Sequence, residues 1–110
     1  RNEKHNKYWT TTYPTISLIP VMELVNKTMK MDTSRIKVPA LFYYSPNDKV
    51  VDSTQTDVVF DRWYGKKTLI KVPGDIIEDE FNHLITGNVA SPSQVDFSVK
   101  SITSWLHTLP

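Results

Sequence analysis

Apolar residues recur at helical spacing early in the chain. Ile16, Ile19, Met22, Val25 and Met29 fall on one face of a predicted helix that runs to about Lys30. Pro20 interrupts the run, so the helix either starts near it or kinks there. Residues 1–13 are polar, with an aromatic cluster of Tyr8, Trp9 and Tyr13 and no clear period. After a connector at Asp32-Thr-Ser-Arg35 the pattern changes to an unbroken apolar run, Val38-Pro-Ala-Leu-Phe-Tyr-Tyr44. A run without alternation fits a strand covered on both faces, as in a parallel sheet. Pro39 belongs at its first residues, before the ladder is established.

Ser45-Pro-Asn-Asp48 is a turn cluster at the C-terminal end of that strand. Helical spacing returns over residues 53–64, where Val58, Val59 and Trp63 share a side and Gly65 ends the helix. Thr68-Leu-Ile-Lys-Val72 reads as a second short strand, closed by Pro73-Gly74. Residues 74–90 form a long loop in which Asp75, Glu78, Asp79 and Glu80 precede His83; loops of this length are functional or disordered. Ser91 is placed as the N-cap of a last helix, with Pro92 at its first position and Gln94 completing a capping box. Val95, Val99, Ile102 and Leu106 supply that helix with a core-facing stripe, and Trp105 lies beside it. The order helix, strand, helix, strand, helix predicts an α/β fold with short parallel strands at about 38–44 and 67–72, flanked by helices.

Composition narrows the chemistry. At 110 residues the chain supports one domain. Its 13 basic and 12 acidic residues balance to +1, which offers no electrostatic footprint for nucleic acid or an anionic membrane. The absence of cysteine removes disulfides, thiolate chemistry and cysteine metal sites, and leaves the compartment open. Histidines at positions 5, 83 and 107 give no zinc spacing, and the acids at 78–80 lack the alternation of an EF-hand loop. They read as a solvated acidic loop. No metal or cofactor is implied.

Two ionisable residues stand out by position. Asp48 follows the first predicted strand and His83 follows the second. In open α/β sheets, working residues gather at the carboxyl ends of strands. The two strands and the helix between them form one βαβ unit, so both loops leave on the same edge. A carboxylate accepting a hydrogen bond from Nδ1–H fixes the imidazole tautomer and leaves Nε2 to take a proton from a serine hydroxyl. Acid before histidine is the chain order of α/β-hydrolases, whose serine comes first in a Gly-x-Ser-x-Gly turn. Gly65, Gly74 and Gly87 are the only glycines, and none belongs to such a turn.

The stretch Ile36-Lys-Val-Pro-Ala-Leu-Phe-Tyr-Tyr-Ser-Pro-Asn-Asp-Lys-Val-Val-Asp52 resembles the acid-bearing segment of the α/β-hydrolase superfamily. Phe81-Asn-His-Leu-Ile-Thr-Gly87 resembles its histidine loop, and the helix with Trp105-Leu106 its terminal helix. The nearest branch is the lysophospholipase, monoacylglycerol-lipase and carboxylesterase-like group. The resemblance implies triad roles for Asp48, as orienting acid, and His83, as base and then acid. It also implies that the chain is a single partial domain, the C-terminal section of a hydrolase core over 14–110. Residues 1–13 would then be a polar lead-in near a lid region. Ser45-Pro-Asn replaces the commoner glycine-containing turn before the acid, and the histidine loop is long. The nucleophile elbow and oxyanion-hole loop have no counterpart here.

The expected partners are accordingly the missing N-terminal part of the same polypeptide and a small-molecule ester, with self-association through an exposed sheet edge when that part is absent. The competing readings are a non-catalytic α/β interaction module and, ranked below it, a receiver-like fold in which Asp48 accepts phosphate or binds metal. Single residues have plainer readings too. Asp52 suits a helix N-cap, His107 a dipole contact at a helix end, and His5 has no motif around it. Asn26-Lys-Thr28 matches a glycosylation acceptor but falls inside a predicted helix.

Overall fold

The computed structural model describes residues 3–10 and 12–110, apart from the side chain of His5. The chain forms two compact units, Arg1–Asp32 and Thr33–Pro110. The first holds a short helix α1 (Glu3–Tyr8), a single 3-10 turn (Thr15–Ser17) and the helix α2 (Leu18–Met29). Pro20 lies in the first turn of α2, where backbone N–H groups have no intrahelical acceptor. The proline therefore marks the helix start and produces no kink. The apolar face read from the spacing is exposed along its length: Ile16, Ile19 and Met22 each stand more than half exposed, and Val25 and Met29 are 44 and 37% exposed.

The second unit is a mixed α/β arrangement built on two strands. β1 (Ala40–Tyr44) runs parallel to β2 (Lys67–Lys71), with Ala40 opposite Lys67 and Tyr44 opposite Lys71. Helix α3 (Thr54–Arg62) makes the crossover between them, and α4 (Val95–Leu106) follows the long loop. Flanking bonds extend the ladder at both ends, from Ala40 N–H to the Lys66 carbonyl and from Val72 N–H to the Tyr44 carbonyl. In a parallel ladder only alternate residues of a strand address one neighbour. Ala40, Phe42 and Tyr44 therefore turn their backbone groups toward β2. Those of Leu41 and Tyr43 point the other way and meet no partner among the described residues.

Aromatic edges pack α3 onto β1. The Phe42 ring meets Phe60 at 5.3 Å and Trp63 at 5.8 Å between centroids, both edge to face. Trp63 Nε1 donates to the Val38 carbonyl at 2.9 Å, which ties the helix end to the strand entrance. Lys67 Nζ reaches the carbonyls of Phe60 and Asp61 at 2.7 and 2.9 Å, placing a cation at the negative end of the α3 dipole. Gly65 allows this return. A Cβ there would lie 2.5 Å from the Val38 oxygen and 2.8 Å from Lys37 backbone atoms.

Three expectations fail in this unit. β1 was expected to be covered on both faces, yet all five of its residues are only half-buried. Val72 and Ile77 are the buried apolar side chains among the described residues, while Val99, Ile102 and Leu106 of the α4 stripe are 57, 40 and 51% exposed. Two strands about 4.8 Å apart give a floor hardly wider than one helix of about 10 Å diameter. Whatever a helix does not lay on that floor stays in water.

The capping box is the third. Residues 92–94 form a 3-10 turn ahead of α4, and the Ser91 hydroxyl caps nothing in it. Ser91 is fully buried and bonds to the loop instead. The helix entrance is served by Glu78, whose carboxylate accepts from Ser93 N–H at 3.0 Å. No described helix is long and apolar enough to cross a membrane.

Candidate active site

The parallel pairing of β1 and β2 brings their C-terminal loops side by side. The first loop is a turn closed by Asp48 N–H on the Ser45 carbonyl, with the buried Ser45 hydroxyl accepting from Asn47 N–H at 3.2 Å. This turn aims Asp48 into the second loop. One carboxylate oxygen, Oδ1, accepts from Val50 and Val51 N–H at 2.8 and 3.0 Å. The other, Oδ2, lies 2.8 Å from His83 Nδ1. Residues 35 apart in sequence thus make one hydrogen-bonded pair.

Backbone contacts fix the two loops to each other. Lys49 N–H donates to the Phe81 carbonyl at 2.9 Å, and Lys49 Nζ to the Glu80 carbonyl at 2.8 Å. Asn47 Oδ1 accepts from Gly74 N–H at 3.0 Å, and Asn82 Nδ2 reaches the Asn47 carbonyl at 3.4 Å. The approach at Gly74 leaves no room for a side chain, because a Cβ would come within 2.8 Å of both Asn47 Cβ and Asn82 Nδ2. Asn82 itself sits at φ 52°, the left-handed region that asparagine tolerates better than most residues. That reversal turns the next residue, His83, toward Asp48.

The electrostatics favour an ionised acid. The Asp48 side chain is 9% exposed, and burial alone would raise its pKa. The hydrogen bonds from His83, Val51 and Val50, with the attraction of the imidazole, outweigh burial and hold the carboxyl below its ordinary value. An ionised carboxylate can only accept, so the shared hydrogen belongs to Nδ1. The neutral imidazole is then the Nδ1–H tautomer, and Nε2 keeps its lone pair. The ring is 40% exposed. No described hydroxyl is hydrogen-bonded to Nε2. By itself the pair can take up a proton at Nε2 and stabilise the cation that results.

The lowered Asp48 pKa has a signed consequence. Its contribution to folding is complete above the ordinary carboxylate pKa of about 3.9. It declines as pH falls below that value, and is gone once pH drops beneath the folded-state pKa. Thermal melts of the wild type and Asp48→Asn between about pH 6 and about pH 2 should therefore converge at the acid end. A stability difference that persists unchanged to the lowest pH would contradict it.

The remaining candidates separate clearly. Asp52 acts at the start of α3, where its carboxylate accepts from the N–H and hydroxyl of Thr54. His107 follows the last turn of α4. The side chain of His5 lies outside the described residues. Among the described residues no group of three or more His, Asp or Glu could hold a metal ion. The sequence reading overlooked Asn47, Asn82 and Gly74, which lock the loops together. An asparagine directly before the histidine was the available signal, since asparagine is several-fold enriched at positive φ. The chain matches no family model, no curated protein and no solved structure.

Proposed function

We propose that this chain is the C-terminal portion of an α/β-hydrolase-type serine esterase, to which it contributes Asp48 and His83. The nucleophilic serine and the oxyanion donors come from another part of the protein. In this reading the serine attacks an ester carbonyl while His83 Nε2 takes its proton. Asp48 stabilises the imidazolium, and His83 then returns the proton to the leaving alcohol. Water repeats the sequence on the acyl-enzyme.

The observation that carries the reading is the 2.8 Å contact from Asp48 Oδ2 to His83 Nδ1 at the carboxyl ends of two adjacent parallel strands. The resemblance of the segments 36–52 and 81–87 to the acid and histidine segments of that superfamily supports the same roles. The unpartnered edge of β1 supports the idea of an incomplete sheet, because parallel sheets are ordinarily covered and continued. A self-contained interaction module would be expected to protect that edge. The reading gives the edge an occupant: strands from the N-terminal part of the same polypeptide, or a second copy of this chain where that part is absent.

Treatment with a fluorophosphonate probe followed by intact mass measurement tests the division of labour. The 12.7 kDa chain should take no label, since its glycines build no nucleophile elbow. A labelled species of that mass would overturn the proposal, because an activated serine would then lie among these residues.

A further inference from the structure

The histidine loop contains four acids, and only one of them holds the histidine. Among the described residues the Asp75, Glu78 and Glu80 side chains accept no hydrogen bond from the His83 backbone: Glu78 serves the entrance of α4, and Glu80 lends its carbonyl to Lys49. Asp79 is different. Its Oδ2 accepts from His83 N–H and from Leu84 N–H, each at 3.0 Å. Asn82 N–H also donates to the Asp79 carbonyl at 2.8 Å, closing a turn whose last residue lies at φ 52°. That turn points the two following amides at the one carboxylate oxygen.

Asp79 is itself anchored. Its N–H donates to the Ser91 hydroxyl at 3.3 Å, and the same hydroxyl donates to the Leu84 carbonyl at 2.7 Å. Ser91 is fully buried just ahead of α4, and its own N–H bonds back to the Gly87 carbonyl at 3.0 Å. Both ends of the segment 79–84 are therefore tied to one buried residue. The His83 ring is 40% exposed, and among the described residues its hydrogen bond to Asp48 is the one polar contact fixing it. What remains to aim the ring is the direction of the His83 backbone, which Asp79 sets. Two consecutive amides held by one carboxylate oxygen fix the backbone that carries the ring.

We propose that Asp79 is a positioning residue for His83, acting through the backbone amides of His83 and Leu84 to keep Nδ1 within reach of Asp48. Its importance for catalysis rests on the hydrolase reading above. Its effect on the Asp48–His83 pair does not, so the two can fail separately: fluorophosphonate labelling addresses the first, and imidazole spectroscopy on this same chain the second.

The test is nitrogen-15 NMR of the His83 ring in the wild type, Asp79→Ala and Asp79→Asn, each with a thermal melt to establish folding. The wild type should show a single neutral tautomer, Nδ1–H. Asp79→Ala should lose that single state and give a mixture with the Nε2–H tautomer. Asp79→Asn should restore it, because the carboxamide oxygen can accept from the same two amides. A merely structural role would move the melt and leave the tautomer alone. A folded Asp79→Ala chain with the wild-type tautomer would overturn the proposal. If Asp79→Ala does not fold, Asp79→Asn decides: an Nδ1–H tautomer with displaced His83 and Leu84 amide resonances supports positioning through those amides. A tautomer mixture in Asp79→Asn would overturn it in either case.

Discussion

Asp48→Asn, introduced into the polypeptide that carries the serine, should lower kcat for ester hydrolysis by about four orders of magnitude with little change in fold. The reason lies in the surroundings of the carboxylate. Val50 and Val51 N–H both donate to Oδ1. An asparagine must present its single carbonyl oxygen to those amides, which turns its NH2 toward His83 Nδ1. Facing a donor, Nδ1 must accept, and the ring proton moves to Nε2. The base is then protonated where it should be free. The check is a kcat comparison with the His83 tautomer recorded on the same samples. Full activity with the Nε2–H tautomer, or loss of activity with Nδ1–H retained, would break the link between the two.

Leu41→Pro should weaken self-association of the isolated chain by about thirtyfold. The free edge of β1 displays the backbone groups of Leu41 and Tyr43. A second copy can meet them by antiparallel pairing about a two-fold axis at Phe42, each Leu41 facing the other copy's Tyr43. The outer edge invites this more than β2 does, since β1 reads Ala-Leu-Phe-Tyr-Tyr whereas β2 carries Lys67 and Lys71 at its ends. Proline removes one outward N–H from each copy while the bonds to β2 come from Ala40, Phe42 and Tyr44. Two bonds at roughly 1 kcal/mol each correspond to about thirtyfold in the dissociation constant. Sedimentation across a concentration series measures it. A chain that is monomeric throughout, or an association indifferent to Leu41→Pro, would mean that the edge is not the contact.

The α/β order was legible because each element announces itself locally. The unbroken apolar run before Ser45, the helical spacing after Asp52 and the short strand before Pro73 all fall within two residues of the observed bounds. Asp48 and His83 were legible for a topological reason: a βαβ unit delivers both strand ends to one edge. Their loops were harder to read. Nothing in a count of acids separates Asp79, which binds two amides, from Asp75 or Glu80. The difference comes from the left-handed turn at Asn82. Ser91 looked like a cap because the residues after it suit a capping box, but the ends of the Asp79–Leu84 segment claimed its buried hydroxyl instead. The apolar stripe of α4 was correctly periodic and wrongly buried. Periodicity tells which face of a helix is apolar, and says nothing about how much of the sheet is present to receive it.

The one-sided ladder of β1 also sets how solvent deuterium enters the strand. Amides of Phe42 and Tyr44 lie inside the pairing with β2, whereas those of Leu41 and Tyr43 face outward. In the monomer, exchange along these residues alternates, with slow amides pointing inward and fast ones pointing out. Once a strand docks on the free edge the alternation collapses to uniform protection. The amides of Leu41 and Tyr43 thereby distinguish a chain standing alone from one that has found its neighbour, whichever polypeptide that neighbour belongs to.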